Sequence, residues 1–159
     1  MNDGNKKTSE TLFHGSNIVV RNPEVHTLGH YKDFGYGFYC TRFEKQAKKW
    51  ALTKNPQHIV TVFEYFEKKD LNVLSFNELT DAWLNFVANC RKGVVHKYDI
   101  VEGPMADDQI WDYVEDFISG NISREAFWAL ARFKRPTHQI VSCTEDALKC
   151  IIYKEYYEI

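Results

Sequence analysis

DFGYGFYCTRFEKQAKKWA, residues 33–51, is the stretch on which the reading of this chain turns. Its first seven positions hold four aromatic rings and two glycines, and a basic, helix-like run follows. A turn explains the glycines and a core explains the rings. A floor for a flat ligand explains both. Through Gly35-Tyr36-Gly37-Phe38-Tyr39 the glycines alternate with aromatics, so an extended strand places small residues on one face and rings on the other. An aromatic strand with two glycine kinks is the plainer alternative. From Phe43 the apolar period becomes helical, with Phe43, Ala47, Trp50 and Ala51 at i, i+4, i+7 and i+8, and Pro56 ends the run. On that pattern Trp50 reads as a core tryptophan.

Outward from this segment, TLFHGS (11–16) predicts a strand ending in a glycine turn, and residues 17–32 a loop punctuated by Pro23 and Gly29. HIVTVFEYF (58–66) is rich in β-branched and aromatic residues and predicts a strand, and LNVLSF (71–76) a shorter one. Residues 77–91 predict a helix with Leu79, Trp83, Phe86, Val87 and Cys90 on one face and Gly93 at its end. YDIVEGPM (98–105) predicts a strand running into a Gly-Pro turn. A helix capped by Asp107 or Asp108 follows, then one capped by Ser123 and closed by Pro136. HQIVSC (138–143) predicts a strand, Thr144 caps a short helical turn, and KCIIYKEYY (149–157) is the last strand. The elements alternate without a regular βαβ rhythm, which points to an α+β fold with a mixed or antiparallel sheet.

The 159 residues suit one domain, with 44% hydrophobic and 15% aromatic residues to fill a core. Twenty basic and 22 acidic side chains leave a formal charge of −2, which gives no electrostatic ground for general nucleic-acid binding. No segment has the apolar length of a membrane span. The polar opening MNDGNKKTSE has no apolar stretch to act as a secretory signal. It is read as a flexible N-terminus over residues 1–10, ahead of a single domain over 11–159. A cytoplasmic protein is expected, with Cys40, Cys90, Cys143 and Cys150 reduced and mostly buried. Their spacing fits no zinc module, and no metal is expected.

His14-Gly15-Ser16 places an imidazole, an unhindered backbone and a hydroxyl at one strand end. Gly15 lets a flat ligand approach the main chain. A strand-end turn with a partly buried histidine is the alternative reading.

Taken together, LFHGS, then YGFY, then an aromatic eleven residues after Tyr39 resemble the nicotinamide pocket of ADP-ribosyltransferases of the diphtheria-toxin and poly(ADP-ribose) polymerase type. Over roughly Thr11 to Tyr153, through DFGYGFY, VEGPMADD and HQIVSCTEDAL, the chain also resembles a small bacterial family of unknown function, number 3990, grouped with these transferases. The resemblance implies a split β-sandwich with flanking helices and NAD as donor substrate. It implies that His14 bonds a ribose hydroxyl and that Gly15 holds the nicotinamide carboxamide. Tyr39 and Trp50 would sandwich the nicotinamide ring, with Ser16, Gly35, Gly37 and Phe38 completing the pocket. A cationic pyridinium needs π-faces above and below and little bulk at its edge.

The family's glutamate on a late strand is replaced here by Gln139. Cleaving the bond from ribose to nicotinamide develops oxocarbenium character at C1′, which a carboxylate stabilises. Glutamine keeps the orienting hydrogen bond and loses charge and basicity. Chain elongation is therefore not expected, and transfer of a single ADP-ribose is. Asp107 or Asp108 is a candidate replacement base, the other serving as a helix cap. Glu145 is a weaker candidate, read more simply as a first-turn glutamate after Thr144.

The implied function is NAD-dependent mono-ADP-ribosyl transfer to a protein or nucleic-acid acceptor, in a toxin or stress-response component with an antitoxin or regulator as partner. A non-catalytic NAD or ADP-ribose binding module and a NAD glycohydrolase are the other readings.

Overall fold

The computed structural model describes residues 9–27, 32–106, 108–132 and 137–159. Seven strands and five helices are arranged there in chain order as β1 (Glu10–Ser16), β2 (Phe38–Cys40), α1 (Glu44–Leu52), β3 (Ile59–Tyr65), β4 (Val73–Ser75), α2 (Asp81–Arg91), β5 (Ile100–Gly103), α3 (Asp108–Ile118), α4 (Arg124–Ala131), β6 (Gln139–Ser142), α5 (Glu145–Leu148) and β7 (Ile151–Glu158). The fold class is α+β. One sheet is antiparallel in the order β1-β3-β7. The other, β2-β6-β5-β4, is mixed, because β4 runs parallel to β5.

Alternation along the strands sorts the core into layers. Between the sheets lie Leu12, Phe38, Cys40, Phe63, Ile100, Ile140 and Ile151. On the outer face of the first sheet, Val60 and Val62 meet Ala47 and Ala51 of α1. On the outer face of the second, Val101 and Val141 meet Trp83, Leu84 and Val87 of α2 with Val114 and Phe127 of α3 and α4. Three helices start where short-range chemistry dictates. The Thr80, Ser123 and Thr144 hydroxyls accept from the N–H groups of Trp83, Ala126 and Ala147. Such a cap contributes about 1 kcal/mol. The helix expected from residue 77 therefore begins at Asp81, after the capping Thr80.

The aromatic–glycine segment is not one extended strand. Gly35 has φ of +81°, a left-handed conformation, and strand geometry begins only at Phe38. Residues 33–35 form a turn bolted from beneath. Asp33 Oδ1 accepts from Arg91 Nη2 at 2.6 Å and Nε at 2.8 Å, and Asp33 Oδ2 accepts from the N–H of Ala106. Arg91 also lies 3.6 Å from the centre of the Trp111 ring and reaches Glu115. Each oxygen of Asp33 and each nitrogen of Arg91 has at least one partner, the condition under which a buried ion pair is tolerated.

Helix α1 divides the expected apolar stripe in two. Ala47 and Ala51 are buried, whereas Phe43 is 44% and Trp50 52% exposed. Trp50 is thus not a core tryptophan. The two small alanines are the surface on which α1 rests against β1 and β3. Pro136, the expected end of α4, lies outside the described residues.

Candidate functional site

Among the described residues the two sheets meet at one bridge. Phe13 and Thr41 exchange backbone hydrogen bonds, Phe13 N to Thr41 O at 2.8 Å and Thr41 N to Phe13 O at 2.9 Å. In a continuing antiparallel ladder the next bonded pair would be Gly15 and Tyr39. The ladder stops instead. The Tyr39 carbonyl accepts from His14 Nδ1 at 2.6 Å. Gly15, two residues beyond Phe13, presents its N–H and C=O to the same edge of β1, into the seam where β1 and β2 part.

A carbonyl only accepts, so Nδ1 of His14 carries the proton. Burial, reinforced by Lys32, His26 and Lys54, pushes the imidazole down to about 4 against the pull of the Tyr39 carbonyl. Neutral His14 with Nδ1–H leaves Nε2 as the acceptor nitrogen, suited to a hydroxyl donor. Its ring stacks on Phe38 at 4.4 Å.

Gly15 is required for a reason other than the expected one. A Cβ there would stand 2.2 Å from the Ala47 carbonyl oxygen and 2.8 Å from the Ala51 nitrogen. Close packing of α1 on β1 demands glycine, and the free backbone edge accompanies it. At Gly37 a Cβ would meet Val141 Cγ1 at 2.5 Å, so this glycine serves sheet packing. Ser16 turns its hydroxyl onto the Ile18 carbonyl.

The Tyr39 ring lies on the outer face of β2. Its hydroxyl donates to the Gly35 carbonyl at 2.6 Å and accepts from the Phe34 N–H at 3.2 Å, which fixes the ring against the turn. Burial raises the phenol well above its ordinary range. Lys32 Nζ sits 4.9 Å from the centre of this ring, and Lys54 Nζ 4.6 Å from that of Trp50. Both rings therefore already present a face to a cation. Burial and the neighbouring charge of Lys54 lower the Lys32 ammonium from its usual range.

Gln139 opens β6 opposite Gly103 and is 5% exposed. Tyr39 pairs with Val141, two residues from Gln139, so Tyr39 and Gln139 share the outer face of this sheet. Among the described residues Gln139 Nε2 has no hydrogen-bond partner. An unpaired buried amide group costs about 1–3 kcal/mol.

The expected convergence of four side chains is thus resolved unevenly. Tyr39, Gln139 and the helix that carries Trp50 occupy the outer face across the seam. The His14 ring belongs to the inner face and reaches the seam through the Tyr39 carbonyl. Asp107 lies outside the described residues, Asp108 begins α3, and Glu145 is exposed in the first turn of α5.

One cluster beside Gln139 carries no sequence signal. Glu102 Oε1 contacts Arg42 Nη1 and accepts from His138 Nε2 at 2.9 Å, while His138 Nδ1 accepts from the Arg42 N–H at 3.0 Å. Burial and Arg42 push His138 down to about 4. Glu102 and His138, with Phe43, Phe76, Met105 and Ile110, line a cavity of about 490 Å³. Tyr39, Trp50, His14 and Gln139 are not among its lining residues. The cavity adjoins Gln139 through His138, the preceding residue, and Gly103, its β5 partner.

Burial holds the thiols protonated. Cys40, Cys90, Cys143 and Cys150 are free, and burial raises each, Cys90 and Cys143 to about 12. Among the described residues no group of three or more His, Cys, Asp or Glu side chains is placed to hold a metal ion. No helix among them is long and apolar enough to cross a membrane.

No curated protein and no solved structure matches this chain. A family match extends over residues 11–153 and so takes in the bridge, the seam and every strand that borders them. The chain belongs to the family described as Protein of unknown function (DUF3990).

Proposed function

We propose that this protein binds NAD at the seam between β1 and β2 and transfers a single ADP-ribose to a macromolecular acceptor. The observation that carries the reading is the seam itself. Bordering it are an imidazole acceptor on His14 and a backbone edge at Gly15, while Gln139, one residue ahead of the β2–β6 pairing, offers a buried amide nitrogen. Each suits a different part of a dinucleotide: a ribose hydroxyl, a carboxamide and the hydroxyls of the nicotinamide ribose. The split pair of sheets agrees with the architecture that the sequence resemblance implies.

In this reaction the bond from C1′ to the nicotinamide nitrogen breaks, and nicotinamide leaves neutral with the electron pair. The acceptor's lone pair then forms the new bond to C1′, and its proton passes to a base. Gln139 orients the sugar by hydrogen bonding and adds no charge to balance the oxocarbenium ion. Aromatic faces at Tyr39 and Trp50 hold the pyridinium in place of the lysine ammonium groups now above them. His14 stays neutral through the physiological range and acts as an acceptor, not as an acid.

A binding module without turnover is the second reading, favoured by the neutral amide at Gln139. NAD labelled on its adenylate distinguishes the cases in cell lysate. Label on a protease- or nuclease-sensitive product is the expected result. Free ADP-ribose would make the protein a glycohydrolase. Intact NAD that nonetheless binds would make it a binding module, and absence of binding would overturn the reading.

A further inference from the structure

Gln139 sits at a strand end that is paired on one side only. β6 meets β5 from Gln139 onward, opposite Gly103, but meets β2 only from Ile140, opposite Cys40. Thr41, which a longer β2 would set beside Gln139, has its N–H and C=O bonded to Phe13. A strand end with an open flank frays.

That flank is filled by a helix side chain. Gln46 Oε1 accepts from the His138 N–H at 3.0 Å, and Gln46 Nε2 donates to the His138 carbonyl at 2.5 Å. A carboxamide facing a peptide group in this way supplies one acceptor and one donor, as a neighbouring strand would. The His138 ring is secured as well, by Arg42 N at Nδ1 and Glu102 at Nε2. The residue before Gln139 is therefore held at both main-chain groups and both ring nitrogens.

The position of Gln46 on its helix adds a second link. Gln46 and Trp50 are four residues apart, on one stripe of α1. The same stripe holds the exposed ring at the rim and the amide at the root of β6, while Ala47 and Ala51 face the sheet beneath.

We propose that Gln46 is a positioning residue. It splices α1 onto the open flank of β6 and so fixes the direction of the Gln139 amide relative to the helix that carries Trp50. The inference rests on the role assigned to Gln139 above. A group that orients a sugar must be held to a fraction of an ångström, and a shift of about 1 Å costs on the order of a hundred-fold in rate.

Gln46→Met keeps the length of the side chain and removes both bonds. Gln46→Glu keeps the acceptor for the His138 N–H and sets a second oxygen against the His138 carbonyl. The readouts are the side-chain NH₂ resonances of Gln139, assigned by their loss in Gln139→Met, together with NAD affinity and the rate of NAD cleavage. Both Gln46 variants are expected to move or broaden the Gln139 resonances. Cleavage should slow roughly ten- to a hundred-fold, with NAD affinity held within about three-fold. Should Gln46→Met fail to fold, Gln46→Glu carries the comparison. Unmoved Gln139 resonances in a folded variant overturn the proposal, whatever the turnover. Wild-type protein that neither binds nor cleaves NAD overturns the role of the seam instead, while the resonances still decide whether Gln46 sets Gln139.

Discussion

The imidazole of His14 takes the carbonyl of Tyr39, at 2.6 Å, where an unbroken sheet would place the N–H of Gly15. That exchange opens the seam. It spends one nitrogen of His14 and leaves the other as the acceptor, and it keeps the Gly15 main chain out of the ladder. His14→Ala should therefore lower NAD affinity by about five- to ten-fold, the worth of one hydroxyl hydrogen bond, as read by calorimetric titration. Unchanged affinity would place the ribose elsewhere.

Trp50 and Tyr39 should separate binding from stability. Trp50 is 52% exposed, so Trp50→Ala should change stability by less than about 0.5 kcal/mol. The same change should weaken NAD binding roughly five- to thirty-fold through loss of a π-face. Tyr39→Phe keeps its ring and loses the bonds to Gly35 and Phe34. It should cost about 1–2 kcal/mol in urea unfolding and leave NAD affinity nearly unchanged. A reversed pattern would make Tyr39 the ligand contact through its hydroxyl and Trp50 a packing residue.

Gly15→Ala tests why glycine occupies that position. The new methyl would press on the Ala47 carbonyl oxygen and the Ala51 nitrogen, both backbone atoms that cannot swing aside. The expected loss is about 1–3 kcal/mol of stability, or failure to fold. Wild-type stability with lost NAD binding would restore the simpler explanation, clearance for a ligand alone.

Gln139 should show a trade between stability and function. Its Nε2 is buried without a partner among the described residues, so Gln139→Met should stabilise the protein by about 1 kcal/mol and abolish NAD cleavage. Gln139→Glu returns a carboxylate to the site. Desolvation there raises its pKa, so any gain in cleavage should appear as pH rises through that pKa. Destabilisation by Gln139→Met would show that the amide has a partner after all.

Stability should fall on acidification through two histidines. His14 and His138 are held down at about 4 in the folded chain, against about 6.5 when unfolded. The unfolded chain therefore binds protons first as pH drops. Their contribution is intact above about pH 6.5, is lost progressively towards pH 4, and amounts to about 2–4 kcal/mol for the pair after allowance for solvent. His14→Gln and His138→Gln should each flatten the profile of urea midpoint against pH. An unaltered slope in both would assign acid sensitivity to the carboxylates.

Sequence alone determined the α+β content, because strands and caps answer to chemistry within a few residues. The β-branched run of β3, the Ser123 and Thr144 caps and the short strand after His138 are all readable without a partner. It also marked His14, Tyr39 and Gln139 as residues worth following. The tertiary structure decided how they stand. Only a fold sets an imidazole on a carbonyl 25 residues away, joins Asp33 to Arg91 across 58, or lays the amide of Gln46 along His138 across 92. Apolar periodicity joined Trp50 to Ala47 and Ala51, since it reports which residues are apolar and not which of two neighbouring stripes meets the sheet. Steric fit settled that question: only the alanine stripe is small enough to rest on Gly15, which turns Trp50 to the rim.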